Sequence, residues 1–231
     1  MNAAVIAFSE EGYALGERLT AYFTQSGDTA DLTRCRQGGL AEWTEAHSRH
    51  DALIFIGSCG IAVRAVAPFL TSKLIDPAVV VIDELATFAV SLLSGHIGGA
   101  NALTARLARF LDAIPVVTTA TDIHGVFAID AWAAMRGLKI ANPERIKRIS
   151  ARMLAGESIG ITSIFPITGR LPKGVALCDR GGDVLITYRT RGPEKALKLI
   201  PPVVTLGVGC KKDVAAKTIE RAFELTLKKA S

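Results

Sequence analysis

At 231 residues and 24.5 kDa the chain can form one or two compact domains, and 49% hydrophobic against 21% charged residues excludes a disordered polymer. Only 6% of residues are aromatic and mean hydropathy is +0.32, so Ala, Val, Ile and Leu must build the core. The net charge of +5 is uneven: residues 1–123 hold eight Lys/Arg against thirteen Asp/Glu, and 124–231 hold nineteen against nine. The basic half suits an acidic partner, while the scarcity of aromatics and the lack of a recognised module argue against nucleic acid.

The first half alternates strand and helix. Residues 3–8 form an apolar run, and Leu15, Leu19, Tyr22 and Phe23 then repeat at helical spacing. Residues 52–56 are the next strand, followed by Gly57-Ser58-Cys59-Gly60 and a helix that stops at Pro68. Residues 78–82 and 87–93 predict a hairpin around Asp83-Glu84-Leu85-Ala86. Ser94-Gly95-His96-Ile97-Gly98-Gly99 then opens a helix carrying Leu103, Leu107 and Leu111, and a strand at 114–118 closes the series. Such βα alternation predicts an α/β fold with a doubly wound, mostly parallel sheet over 1–123.

Residues 124–201 read as a smaller α+β domain: helices over 129–137 and from Asn142-Pro143-Glu144 to 155, then strands at 158–164, 175–178 and 184–189. Residues 202–231 read as a terminal βα fragment, a strand at 203–207 and a helix over 213–228, too short to bury a core alone.

Four dispersed cysteines (Cys35, Cys59, Cys178, Cys210) show no CxxC or finger spacing, which predicts a reduced cytoplasmic protein without structural metal. The N-terminus lacks a basic leader, and Arg64 and Pro68 interrupt the most apolar stretch, so no membrane span is expected.

Three turns hold the chemistry. In open α/β sheets ligands gather at strand carboxyl ends, where helix N-termini present N–H groups. Gly57, Ser58 and Gly60 at the first turn, and Ser94, Gly95, Gly98, Gly99 and Asn101 at the second, are candidate binding residues. Thr118, Thr119 and Thr121 at the third join them, with Arg64 and Lys73 as candidate anion contacts. His96 is the acid/base candidate because imidazole titrates near neutrality, against the commoner structural roles of capping the following helix or satisfying a buried carbonyl. Asp83, Glu84 and Asp122 are the carboxylates that could orient it or activate water, or they could be turn and capping residues. Arg145, Arg148 and Arg152 form a basic stripe, of the kind a solvated helix face more commonly explains. No P-loop and no Gly-x-Ser-x-Gly elbow occurs, so activated water is a better nucleophile than a side chain.

Ile56-Gly57-Ser58-Cys59-Gly60-Ile61-Ala62-Val63-Arg64, Asp76-Pro77-Ala78-Val79-Val80-Val81, Ser91-Leu92-Leu93-Ser94-Gly95-His96-Ile97-Gly98-Gly99-Ala100-Asn101 and Pro115-Val116-Val117-Thr118-Thr119-Ala120-Thr121-Asp122 together closely resemble the cobalamin-biosynthesis protein G family, the cobalt-precorrin-5A hydrolases. That resemblance implies opening of the δ-lactone of cobalt-precorrin-5A and release of acetaldehyde to give cobalt-precorrin-5B. It implies a cobalt-corrinoid substrate that carries its own cobalt, no protein-held cofactor, and the substrate's carboxylates as the reason for Lys211, Lys212 and the arginines. The family continues for about a hundred residues past the Gly207-Val208-Gly209-Cys210 turn as a further α/β domain. A separate C-terminal-domain chain, other corrin-pathway enzymes and a second copy of this chain are therefore candidate partners. The alternative reading is a non-catalytic module that binds a corrinoid intermediate.

Overall fold

The computed structural model describes residues 1–72, 75–189, 195–203 and 207–230. It divides into two compact units, Met1–Pro201 and Pro202–Ser231.

In the first unit, β1 (Asn2–Ala7), β2 (Thr29–Arg34), β3 (Ala52–Ile56), β4 (Ala78–Ile82), β5 (Phe88–Leu93) and β6 (Ile114–Val116) form one sheet in the order β2-β1-β3-β4-β5-β6. Every residue of β3 and β4 is buried, as expected of strands covered on both faces. One face packs on α1 (Glu10–Gln25) and α4 (Ala100–Leu111), through Leu15, Leu19 and Phe23 and through Leu103, Leu107 and Leu111. The other packs on α2 (Leu40–His47) and α3 (Cys59–Val66) through Trp43, Ala62, Ala65 and Val66. The sheet is doubly wound and mostly parallel, as the alternation predicts.

One pairing departs from that pattern and decides where the site can be. The β4–β5 hairpin is antiparallel, with Val79 opposite Leu93 and Ile82 opposite Ala89, and β6 then runs parallel to β5. Strand polarity therefore reverses at this hairpin. The exits of β1, β3 and β4 lie at one end of the sheet, and those of β5 and β6 at the other.

The remainder of the first unit holds β7 (Lys139–Ile140), β8 (Ile159–Ser163), β9 (Val175–Leu177), β10 (Val184–Ile186) and β11 (Leu197–Ile200), in the order β7-β11-β10-β8-β9. β11, β10, β8 and β9 are parallel, and β7 is antiparallel on the edge. Its core joins α6 (Ile129–Met135) and α7 (Ile146–Leu154) to that sheet through Ile129, Trp132, Ile149, Met153, Ile161 and Leu199. Ile97, from the turn after β5, packs into this second core. Asn142 does not cap the helix after it. Its side chain bonds Ala196 and Lys198 instead, and Pro143–Arg145 forms a 3-10 turn ahead of α7.

The second unit contains α8 (Ala216–Ala230), which begins three residues later than the sequence pattern suggests. The strand expected at 203–207 falls partly on 204–206, outside the described residues. Among the described residues no helix is long and apolar enough to cross a membrane.

Candidate active site

The turn after β5 is closely packed. Ser94 takes a left-handed φ of 57°, and Gly99 opens α4 at φ 84°. A Cβ on Gly98 would come within 2.4 Å of the Ser94 Cβ and 2.9 Å of its carbonyl oxygen, and one on Gly95 within 2.7 Å of Asn101 Oδ1. These glycines are needed for backbone packing. The amides of Gly99, Ala100 and Asn101 donate to the carbonyls of His96, Ser94 and Gly95, so the turn itself uses them and they are not free for a ligand.

That packing places His96 between two carboxylates. Its Nδ1 lies 3.2 Å from Asp130 Oδ2 and its Nε2 2.6 Å from Asp122 Oδ2, with the Thr121 hydroxyl 3.2 Å from Nε2. Both ring nitrogens face acceptors, so both carry protons. The imidazole pKa accordingly rises to about 9: the bond to Asp130 is the main cause, opposed by burial and reinforced by Asp122. Burial pushes the Asp130 carboxyl up, but the His96 bond and charge outweigh it and the net shift is downward. At neutral pH His96 is an imidazolium. It can donate a proton but has no free nitrogen to accept one.

Asp122 belongs to α5 (Ala120–Ile123), after β6. Asn101 Nδ2 donates both to Asp122 Oδ2 and to Thr119 Oγ1, each at 2.9 Å, while the Asn101 carbonyl accepts from Ser91. Oδ2 is thereby pinned by two donors, Oδ1 accepts no bond among the described residues, and the side chain is 42% exposed. The Ser94 hydroxyl is buried without a hydrogen-bond partner among the described residues, and Thr118 is exposed. Among the described residues no group of three or more His, Cys, Asp or Glu side chains is arranged to hold a metal ion.

The structure thus joins Ser94, Gly95, His96, Gly98, Gly99, Asn101, Thr119, Thr121 and Asp122, with Thr118 beside them. It does not bring the first turn to them. Gly57, Ser58, Gly60 and Arg64 follow β3, and Ala52 to Ile56 separates them from the His96 end by about 17 Å of strand. Among the described residues Arg64 bonds the carbonyl of Gly60. Asp83 and Glu84 sit with them at the far end, so neither can orient His96. The Asp83 carboxylate accepts the Leu85 and Phe88 amides, and these bonds hold its pKa down despite burial. Glu84 accepts the Ser9 hydroxyl. The hairpin reversal is the physical reason for each correction. Lys73 lies outside the described residues. Arg152 is occupied by Glu157, Asp183 and the Ser158 carbonyl, while Arg148 lines an open cavity with Arg180 and Lys195. Asp130 and Ser91 were absent from the candidates. Neither carries a sequence signal, since Asp130 is a single acid in an otherwise apolar helix, 34 residues from His96.

Residues 42–122 match the family described as cobalamin synthesis G N-terminal. The chain is 35% identical over 237 residues to cobalt-precorrin-5A hydrolase of Salmonella typhimurium, covering 92% of this chain and 66% of that one. The chain belongs to the cobalamin synthesis G family. Cobalt-precorrin-5A hydrolase of Priestia megaterium is 29% identical, with 97% and 69% covered. The crystal structure of a cobalamin biosynthesis protein G homolog from Sulfolobus solfataricus aligns with a TM-score of 0.59 at 26% identity, over 98% of this chain and 69% of that one. This member of the cobalamin synthesis G family therefore spans about two thirds of the length of those relatives, and the matched segment contains the whole turn from Ser94 to Asn101 and ends on Asp122.

Proposed function

We propose that the chain acts as a cobalt-precorrin-5A hydrolase of the cytoplasm, opening the δ-lactone and releasing acetaldehyde. The observation that carries this reading is the accessible Asp122 carboxylate, held by an imidazolium within the segment that matches the family.

The chemistry follows from the proton inventory. Asp122 Oδ1 takes a proton from water as the water oxygen attacks the lactone carbonyl. The ester C–O bond breaks, and the departing alkoxide takes that proton back as a hydroxyl. In the second step Oδ1 removes the same proton while the adjacent C–C bond breaks. The two-carbon unit leaves as acetaldehyde, and the electron pair passes to the conjugated macrocycle, where the proton now on Asp122 is returned. One water is consumed and one acetaldehyde formed. His96 holds Asp122 Oδ2 in place and leaves Oδ1 free to act as the base. Asp130 keeps His96 charged. Cobalt enters as part of the substrate, and no resident cofactor is required by any of these steps.

The test is acetaldehyde release from cobalt-precorrin-5A. The protein should form one acetaldehyde per substrate, and Asp122→Asn should slow release about a hundredfold. An unchanged rate in Asp122→Asn would remove Asp122 from the mechanism. Corrinoid binding without acetaldehyde would favour the non-catalytic module.

A further inference from the structure

A cavity of about 390 Å³ is lined by Trp132 and Arg136, at the end of α6. It opens past Ser163 and Ile186, the last residues of β8 and β10, which is the carboxyl edge of the parallel strands where α/β sheets receive ligands. Trp132, Phe165, Ile167 and Ile186 make its walls apolar, and none of its lining residues is acidic. A cationic donor belongs to it. The Arg136 guanidinium stacks over the Trp132 ring at 4.3 Å and has no carboxylate partner among the described residues. Trp132 is 95% buried, and its indole N–H, itself shielded from solvent, has no acceptor among the described residues. The Ser163 hydroxyl, by contrast, is already engaged with the Phe165 backbone.

An apolar slot with an unpaired guanidinium and no acid fits an apolar stem that ends in a carboxylate. Resting on the hydrolase reading above, we propose that this cavity is the subsite for a carboxylate-bearing side arm of the corrinoid. The arm's methylenes lie against Trp132 and its carboxylate meets Arg136. Asp130 and Trp132 are two residues apart on α6, about 200° around the helix, so one helix carries the His96 contact on one face and the arm contact on the other. Occupying the subsite would therefore place the ring relative to the proton-transfer site.

The test is equilibrium dialysis with cobyrinic acid, whose arms are free carboxylates, and with its fully methylated ester, read by visible absorbance. The intact chain should bind the acid more tightly than the ester. Arg136→Gln should weaken acid binding about tenfold and leave ester binding unchanged. Equal affinity of parent and Arg136→Gln for the acid, or of the parent for acid and ester, would overturn the subsite. Acetaldehyde release measured on the same proteins separates the two ideas. Release with no Arg136 effect on binding removes the subsite alone, and an Arg136 effect without release keeps the subsite and removes the hydrolase.

Discussion

The imidazolium between Asp122 and Asp130 makes a quantitative demand on stability. An exposed histidine titrates near 6.5, whereas folded His96 titrates at about 9 and its side chain is 12% exposed. Folding therefore strengthens proton binding. At about 1.4 kcal/mol per unit, the group contributes about 3 kcal/mol when it is charged in the folded state. That contribution is complete below pH 6.5, declines as the unfolded histidine loses its proton, and is gone once pH passes about 9. Urea unfolding of the parent and of His96→Gln across this window isolates the effect, because lysines, cysteines and the N-terminus titrate alike in both. The parent should lose about 3 kcal/mol more than the variant between pH 6.5 and about 9.5. Parallel stability curves would refute the charged bridge, as would an NMR titration of the His96 ring with a midpoint below 7.

Asp130→Asn removes the main cause of the raised pKa, so the His96 midpoint should fall back toward the ordinary range by NMR, with about 3 kcal/mol lost on chemical unfolding because a buried pair is broken. Gly98→Ala should cost about 1–3 kcal/mol, since its Cβ meets Ser94 backbone that cannot yield cheaply. Gly60→Ala should be neutral or stabilising in the same unfolding assay, because its Cβ meets only the Arg64 guanidinium at 3.7 Å inside α3.

The fold was readable where burial writes a simple pattern. The continuous apolar runs at 52–56 and 78–82 are fully buried strands, and the 15/19/23 spacing is the inner stripe of α1. The short second-sheet strand Leu197–Ile200 and the edge strand Thr29–Arg34 escaped, the latter because its polar residues face solvent. In the site, His96, Asn101, Thr121 and Asp122 stood out because polar residues cluster at strand exits. The hairpin at 83–86 was visible too, but its consequence is three-dimensional. Reversing one strand sends Asp83 and Glu84 to the end away from His96, and no residue type marks that reversal. Asp130 was hidden for a related reason, since its partner comes from the other sheet's territory.

The reversed strand also bears on inhibition. Gly57 and Ser58, next to Ser9 and Glu84, form a polar rim that shares a sheet with His96 but faces the opposite way. A small molecule lodged at that rim would leave the histidine uncovered. On the hydrolase reading proposed above, a competitive blocker approaches from the Asn101 side, and screening hits can be sorted by which rim they protect from hydrogen exchange.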